Sequence, residues 1–297
     1  MEQWTIKKKE AGRRLDAFLM ETKNWPRSFF MKALRTKKIK VNGKKEEASY
    51  RLLEGDLLVS YVLEGEKKAS PVEILYEDGN ILIVNKPAGL LSLDVTGKEK
   101  DTMLSRVSAL LKSRGEKEAY PVHRIDFNTS GILILAKNEE IGKLLDAAIK
   151  ERKIRKSYLC VVGGTLKPPE GTLKNQLFKD ARKNQVYVTE EAVKGSKTAI
   201  TEYRTRAVKN GLSLIECRLI TGRTHQIRAQ MAHAGHPLLG DDKYGEKTWN
   251  RKHGERRQLL CSYKITFGNM EGPLSYLSGK TIEIKNVGFV KKYFGGK

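Results

Sequence analysis

The 297-residue sequence is short of cysteine, of acidic charge and of long apolar runs, and each shortage narrows what the chain does. Its three cysteines, Cys160, Cys217 and Cys261, are odd in number, far apart and never in a Cys-x-x-Cys pair. That argues against a disulfide framework and a thiolate zinc site, leaving three reduced core residues. The longest apolar stretches, such as Ile132 to Ala136, fall far short of a bilayer span, and no apolar run follows the charges of the N-terminus, so a soluble, cytoplasmic protein is expected. Acidic residues number 35 against 57 lysines and arginines, a formal charge of +22 that favours a polyanionic partner, nucleic acid before anionic membrane.

The basic excess is spread along the chain. Residues 1–64 hold fifteen basic and nine acidic side chains, an excess of six, so most of the surplus lies in the remainder rather than in a basic tail. The length suits two domains. Segment 65–70 is polar and aperiodic, which places a boundary there and predicts a module over 1–64, a linker and a larger domain over 71–297. In the module, helices are expected at Arg14–Glu21 and Ser28–Lys37, a strand and turn at Ile39–Gly43, and a strand at Leu57–Val62. The second helix surrounds an apolar stripe with Arg27, Lys32, Arg35, Lys37 and Lys38, which fits a solvated basic face as well as an RNA contact. Beyond residue 71, β-like runs at Ile81–Val84, Ile132–Leu135, Tyr158–Val162 and Leu212–Leu219 alternate with helical stretches at Thr102–Arg114 and Glu140–Lys150, an α+β pattern with a mixed sheet.

His123-Arg124-Ile125-Asp126-Phe127-Asn128-Thr129-Ser130-Gly131 sits just ahead of an apolar strand and can present a carboxylate and a guanidinium at a cleft. Read locally, Asp126, Asn128, Thr129 and Ser130 are equally turn formers whose side-chain oxygens bond backbone amides. The stretch resembles the His-Arg-Leu-Asp-x-x-Thr-Ser-Gly pattern of the RluA family of pseudouridine synthases, with Ile125 in place of leucine. Three further stretches resemble that family in the same order: Val84 to Leu90, Arg155-Lys156-Ser157-Tyr158, and Thr221 to Arg228 followed by Gly235-His236-Pro237. The resemblance spans about residues 71–245. The order Arg14-Leu15-Asp16, a basic helix, Ile39-x-Val41-Asn42-Gly43 and Gly55-Asp56 resembles the small RNA-binding domain first described in ribosomal protein S-four.

The resemblance implies a mainly antiparallel sheet and an isomerase that cuts uracil from ribose at nitrogen, turns it and rejoins it through carbon. Nothing is oxidised overall, so no cofactor or metal is implied. Asp126 would act on the sugar or base or draw a proton from the ribose, Arg223 would pair with it, and Tyr158 would stack on the target base. Arg124 would fill the space an extracted base leaves. Without the resemblance, Tyr158 is a core residue, Arg124 a phosphate or structural ion pair, and Arg223 and Arg228 surface phosphate binders. Lys86-Pro87-Ala88-Gly89 reads as a strand end and turn bordering the site.

Two departures affect expected substrate contacts: Gln230-Met231 stands where many relatives have His-Leu, and Ser92-Leu93 where a histidine is common. His225, His233 and His236 could suggest a metal hydrolase, although no His-Glu-x-x-His is present, and no phosphate-cradling Gly-x-x-x-x-Gly-Lys motif supports a nucleotide-driven enzyme. A non-catalytic RNA-binding or ribosome-assembly protein is the main rival. The expected partner is RNA, large-subunit ribosomal RNA first and transfer RNA second, acted on by a monomer.

Overall fold

The computed structural model describes residues 1–23, 25, 27–62, 72–94, 96, 99, 101–180, 183 and 185–295. The expected linker at 65–70 lies outside the described residues. The chain divides into two compact units, Met1–Pro71 with Leu93–Arg106, and Val72–Ser92 with Val107–Lys297.

In the first unit β1 (Glu2–Thr5), α1 (Leu15–Lys23), α2 (Arg27–Arg35), β2 (Ile39–Val41) and β3 (Leu57–Ser60) form two helices and an antiparallel sheet of order β1-β3-β2. Leu15, Leu19, Phe30, Ile39 and Leu58 are buried in one core. The polar residues of the Arg14-Leu15-Asp16 and Asn42…Asp56 pattern form its framework. Arg14 donates twice to the buried Asp16, at 3.0 and 2.8 Å, and holds its carboxyl below the usual range. Buried Asp56 accepts from Asn42 Nδ2, Tyr50 Oη and the Leu53 amide at 2.8, 3.0 and 2.8 Å. Helix α2 ends before Lys37, whose φ of 60° breaks the helical ladder. Arg27, Lys32, Arg35 and Lys37 are exposed and Lys38 is half-buried.

The second unit is built on an eleven-stranded sheet. Its elements follow in chain order: β4 (Ile74–Glu77), β5 (Ile81–Lys86), α3 (Met103–Ser113, beginning in the segment grouped with the first unit), β6 (Tyr120–Pro121), β7 (Ser130–Ala136), α4 (Glu139–Lys150), β8 (Ile154–Gly163), β9 (Glu170–Asp180), β10 (Gln185–Thr189), β11 (Lys197–Lys209), β12 (Leu212–Leu219), α5 (Gln226–His233), α6 (Lys247–Lys252), β13 (Leu260–Phe267), β14 (Thr281–Glu283) and α7 (Gly288–Phe294). The strand order is β10-β9-β11-β12-β8-β13-β7-β5-β4, with β14 on β13 and β6 on β7. The pairing of β13 with β7 is parallel and the rest are antiparallel, giving the mixed, mainly antiparallel α+β fold.

Strands β5 and β7 are apolar on both faces, as central strands require. Asn138 caps α4 by accepting the Ile141 amide at 2.9 Å, and Ile141, Leu145 and Ala148 bury its inner stripe. The three cysteines are free and buried.

Strand β13 positions the site. Ser262 lies opposite Gly131 of β7 on one side and Tyr158 of β8 on the other. Gly131 has φ +110°, and a Cβ there would meet the Ser262 carbonyl oxygen at 2.2 Å. Glycine therefore lets β7 approach β13 and brings the loop before it close to Tyr158.

Candidate active site

The loop entering β7 is tied down by its backbone. Ser92 Oγ accepts the Ile125 amide at 3.1 Å and donates to the Ile125 carbonyl at 3.0 Å, both ties being buried. The Phe127 carbonyl accepts from the Gly89 amide at 2.8 Å and from Lys86 Nζ at 3.2 Å. Lys86 is wholly buried and also donates to the Pro87 and Leu90 carbonyls at 3.0 and 2.6 Å. Burial pushes its ammonium down to about 7, opposed by Asp126 and assisted by Arg257, while three carbonyls match the three protons of the charged form.

The Thr129 amide closes the turn on the Asp126 carbonyl at 3.0 Å. The turn expected here is thus made by the Asp126 backbone, and its carboxylate is left for other work. His123 accepts the Ile134 amide through Nε2 at 3.1 Å, and burial of the ring pulls its pKa well below the usual imidazole value, so it is a neutral packing group.

Asp126 meets a buried arginine. Arg228 on α5 donates from Nη1 to Asp126 Oδ2 at 3.0 Å, and from Nε and Nη2 to the two oxygens of Asp241 at 2.7 and 3.0 Å. Asp241 is fully buried, whereas the Asp126 side chain is 24% exposed. The fork geometry makes Asp241 the anchor of the guanidinium plane. The arginine is desolvated, but its two carboxylates hold it charged and raise its pKa. Asp126 Oδ1 has no partner among the described residues, so one carboxylate oxygen is fixed and the other is available for chemistry.

This corrects two expectations. Arg223, expected to pair with Asp126, is exposed and donates from Nε to the Thr198 carbonyl at 3.1 Å, because it precedes α5 instead of lying on its buried face. Arg228, expected to contact RNA as a surface residue, is 7% exposed and carries the ion pair to Asp126.

Tyr158 is 6% exposed and shares a cluster with Ile125 and Ile227, so the three sequence motifs meet around it. Burial raises its hydroxyl to about 12, and the Asp126 charge adds to the rise, so it stays protonated at neutral pH. Arg124 is exposed and makes no side-chain bond among the described residues, leaving its guanidinium open to a partner.

Helix α5 is held by buried amides. Gln226 Nε2 donates to the Ile200 carbonyl and Thr201 Oγ1 at 3.0 and 2.8 Å, and Thr201 Oγ1 donates to Gln230 Oε1 at 2.7 Å. Gln230, which departs from many relatives, is 1% exposed and latches helix to sheet away from solvent. The three histidines are engaged separately: His225 beside Tyr244, His233 on Glu190, His236 on the Gly163 carbonyl. Sequence reasoning missed Asp241, which follows Gly235-His236-Pro237 in the chain but carries no local signal, and the loop-tying roles of Lys86 and Ser92.

The profile of the RNA pseudouridylate synthase family matches residues 80–233. The chain is 32% identical over 253 residues, 82% of either chain, to YlyB, an uncharacterized RNA pseudouridine synthase of Bacillus subtilis. It is 31% identical over 284 residues, 89% of this chain and 87% of the other, to ribosomal large subunit pseudouridine synthase C of Haemophilus ducreyi. Among solved structures, human RNA pseudouridylate synthase domain containing 4 shares the fold with a TM-score of 0.59 at 18% identity, over 72% of this chain and 88% of that one. Sequence, fold and the convergence of three motifs on one carboxylate agree: the chain belongs to the RNA pseudouridylate synthase family, of the RluA type.

Proposed function

We propose that this isomerase converts a uridine of large-subunit ribosomal RNA to pseudouridine, with Asp126 as the residue that acts on the everted nucleoside. The observation that carries the assignment is the division of the Asp126 carboxylate: Oδ2 is held by Arg228, and Oδ1 is uncommitted in a partly exposed side chain. A carboxylate in that state is oriented and has one oxygen free, as needed to attack an electron-poor carbon or to take a proton. Arg228 orients it, with Asp241 behind, and Tyr158 supplies a protonated aromatic wall against which a base stacks. The exposed Arg124 is suited to take the place of the extracted base.

The choice of ribosomal RNA rests on the similarity to large-subunit synthases, with transfer RNA as the alternative. Residues 1–64 serve as an S-four-type RNA-binding domain joined through 65–70 to a catalytic domain at 71–297, a reading supported by the Arg14–Asp16 and Asn42–Asp56 bonds and by an exposed basic helix in the same unit. The work is done in the cytoplasm, where ribosomal RNA is found.

Tritium release from transcripts labelled at uridine carbon 5 tests the assignment. Asp126→Asn is expected to abolish release while RNA affinity stays within about threefold, since the basic surface is untouched. Release by Asp126→Asn at the wild-type rate rejects the role. Release from transfer RNA but not from 23S-type transcripts corrects the substrate alone.

A further inference from the structure

The imidazole of His225 stands beside Asp126 without being bonded to it. Its Nε2 lies 3.9 Å from Asp126 Oδ2, beyond hydrogen-bond reach, and that oxygen is already taken by Arg228. The other ring nitrogen, Nδ1, is 2.8 Å from Tyr244 Oη, and the Tyr244 ring packs edge-on to the imidazole.

Tyr244 points to which nitrogen carries the proton. Its oxygen accepts the Val186 amide at 2.9 Å. If Nδ1 also donated to that oxygen, the phenolic proton would have no acceptor among the described residues. With the hydroxyl donating to Nδ1, the phenolic proton is placed, and the single imidazole proton sits on Nε2, the nitrogen on the side of the Asp126 carboxylate. Burial keeps the ring neutral by lowering its pKa to about 4, more than the Asp126 charge raises it, while Arg228 and Lys243 lower it and Asp241 raises it. Nε2–H therefore has no hydrogen-bond acceptor within reach among the described residues, the nearest carboxylate oxygen, Asp126 Oδ2, lying 3.9 Å away.

The backbone is consistent with a functional constraint. His225 takes φ 53°, a left-handed conformation that its β-carbon disfavours, at the residue that starts α5. Strain of this kind persists where the surroundings fix a side chain in place.

We propose that His225 is a further residue touching the substrate: its Nε2–H donates to a carbonyl oxygen of the everted uracil lying against Asp126, in the tautomer that Tyr244 imposes. The proposal rests on the pseudouridine synthase reading. When the bond from ribose carbon to uracil nitrogen breaks, its electron pair stays with the base, and negative charge spreads onto the carbonyl oxygens. A preorganised neutral donor stabilises that charge as it develops, and the proton stays on Nε2. A charged imidazolium would be drawn to Asp126 instead, which is why neutrality matters.

The test compares single-turnover tritium release by wild type, Asp126→Asn, His225→Gln, His225→Asn and Tyr244→Phe on one transcript. Glutamine carries an amide N–H to the place of Nε2–H. Asparagine puts its amide at the place of Nδ1, keeps the neighbour of Tyr244 and tolerates the left-handed backbone better. His225→Asn is expected to be slower by about a hundredfold and His225→Gln by less than about tenfold, with RNA affinity and melting temperature held. Tyr244→Phe, which frees the tautomer, is expected to be slower by about tenfold.

If His225→Asn turns over as fast as His225→Gln or faster, backbone or packing explains the histidine and the proposal fails. Wild-type rates in Tyr244→Phe overturn the tautomer argument. These outcomes leave the synthase reading intact provided wild type is active and Asp126→Asn is not. An inactive wild type removes both readings.

Discussion

At the scale of single residues, the site is a problem of sharing one guanidinium between two carboxylates. Arg228 gives its Nε edge to Asp241, which is wholly buried, and one Nη1 proton to Asp126, which is partly exposed. Asp241 thereby keeps Arg228 from closing on both oxygens of Asp126. Arg228→Ala strands the Asp241 charge in the interior and is expected to cost about 3–5 kcal/mol of stability along with activity. Arg223→Ala touches an exposed side chain whose bond is to a backbone carbonyl, and should change the urea midpoint little. Urea unfolding of the two variants decides between them: equal midpoints would reject the assignment of Arg228 as the buried partner.

At the scale of elements, the approach of β7 to β13 assembles the site. The parallel pairing of Ser130 and Gly131 with Cys261 and Ser262 brings the Asp126 loop to the strand that also faces Tyr158. Gly131→Ala forces a Cβ against the Ser262 carbonyl at a backbone angle that L side chains avoid. The expected cost is about 2–4 kcal/mol, with loss of turnover exceeding loss of RNA affinity because the carboxylate is displaced while the basic surface is kept. Calorimetry and filter binding check both halves, and a variant with wild-type melting and turnover would show that the strands separate freely. The strand and helix runs were legible from periodicity: the apolar runs at 81–84 and 132–135 lie within β5 and β7, and the helix expected at Glu140–Lys150 is α4. Their pairing was not, since β7 and β13 are separated by well over a hundred residues.

At the scale of the whole molecule, the charge of +22 is a statement about polyanions. The exposed Arg27, Lys32, Arg35 and Lys37 concentrate part of it on and just beyond one short helix. Replacing these four with glutamine in the full chain is expected to weaken RNA binding and to flatten its dependence on salt, by about one logarithmic unit of slope for each phosphate no longer neutralised. The turnover rate of bound RNA should be unchanged, because none of the four belongs to the Asp126 site. An unchanged salt slope would assign RNA binding to the second unit.

The amino-acid sequence by itself determined the α+β class and the basic character of the surface, because period and charge are local properties of a chain, and its resemblance to a family singled out Asp126 as the candidate carboxylate. It also marked Tyr158 and the Thr221–Arg228 stretch as belonging with Asp126. Only the tertiary structure decided which arginine of that stretch meets the carboxylate, since Arg223 and Arg228 differ in burial and direction far more than in local sequence. It likewise decided that Asp241, Lys86 and Ser92 hold the site and that Gln230 latches a helix. Burial, desolvation and the sharing of hydrogen bonds depend on neighbours remote in the chain, and no pattern of adjacent residues encodes them.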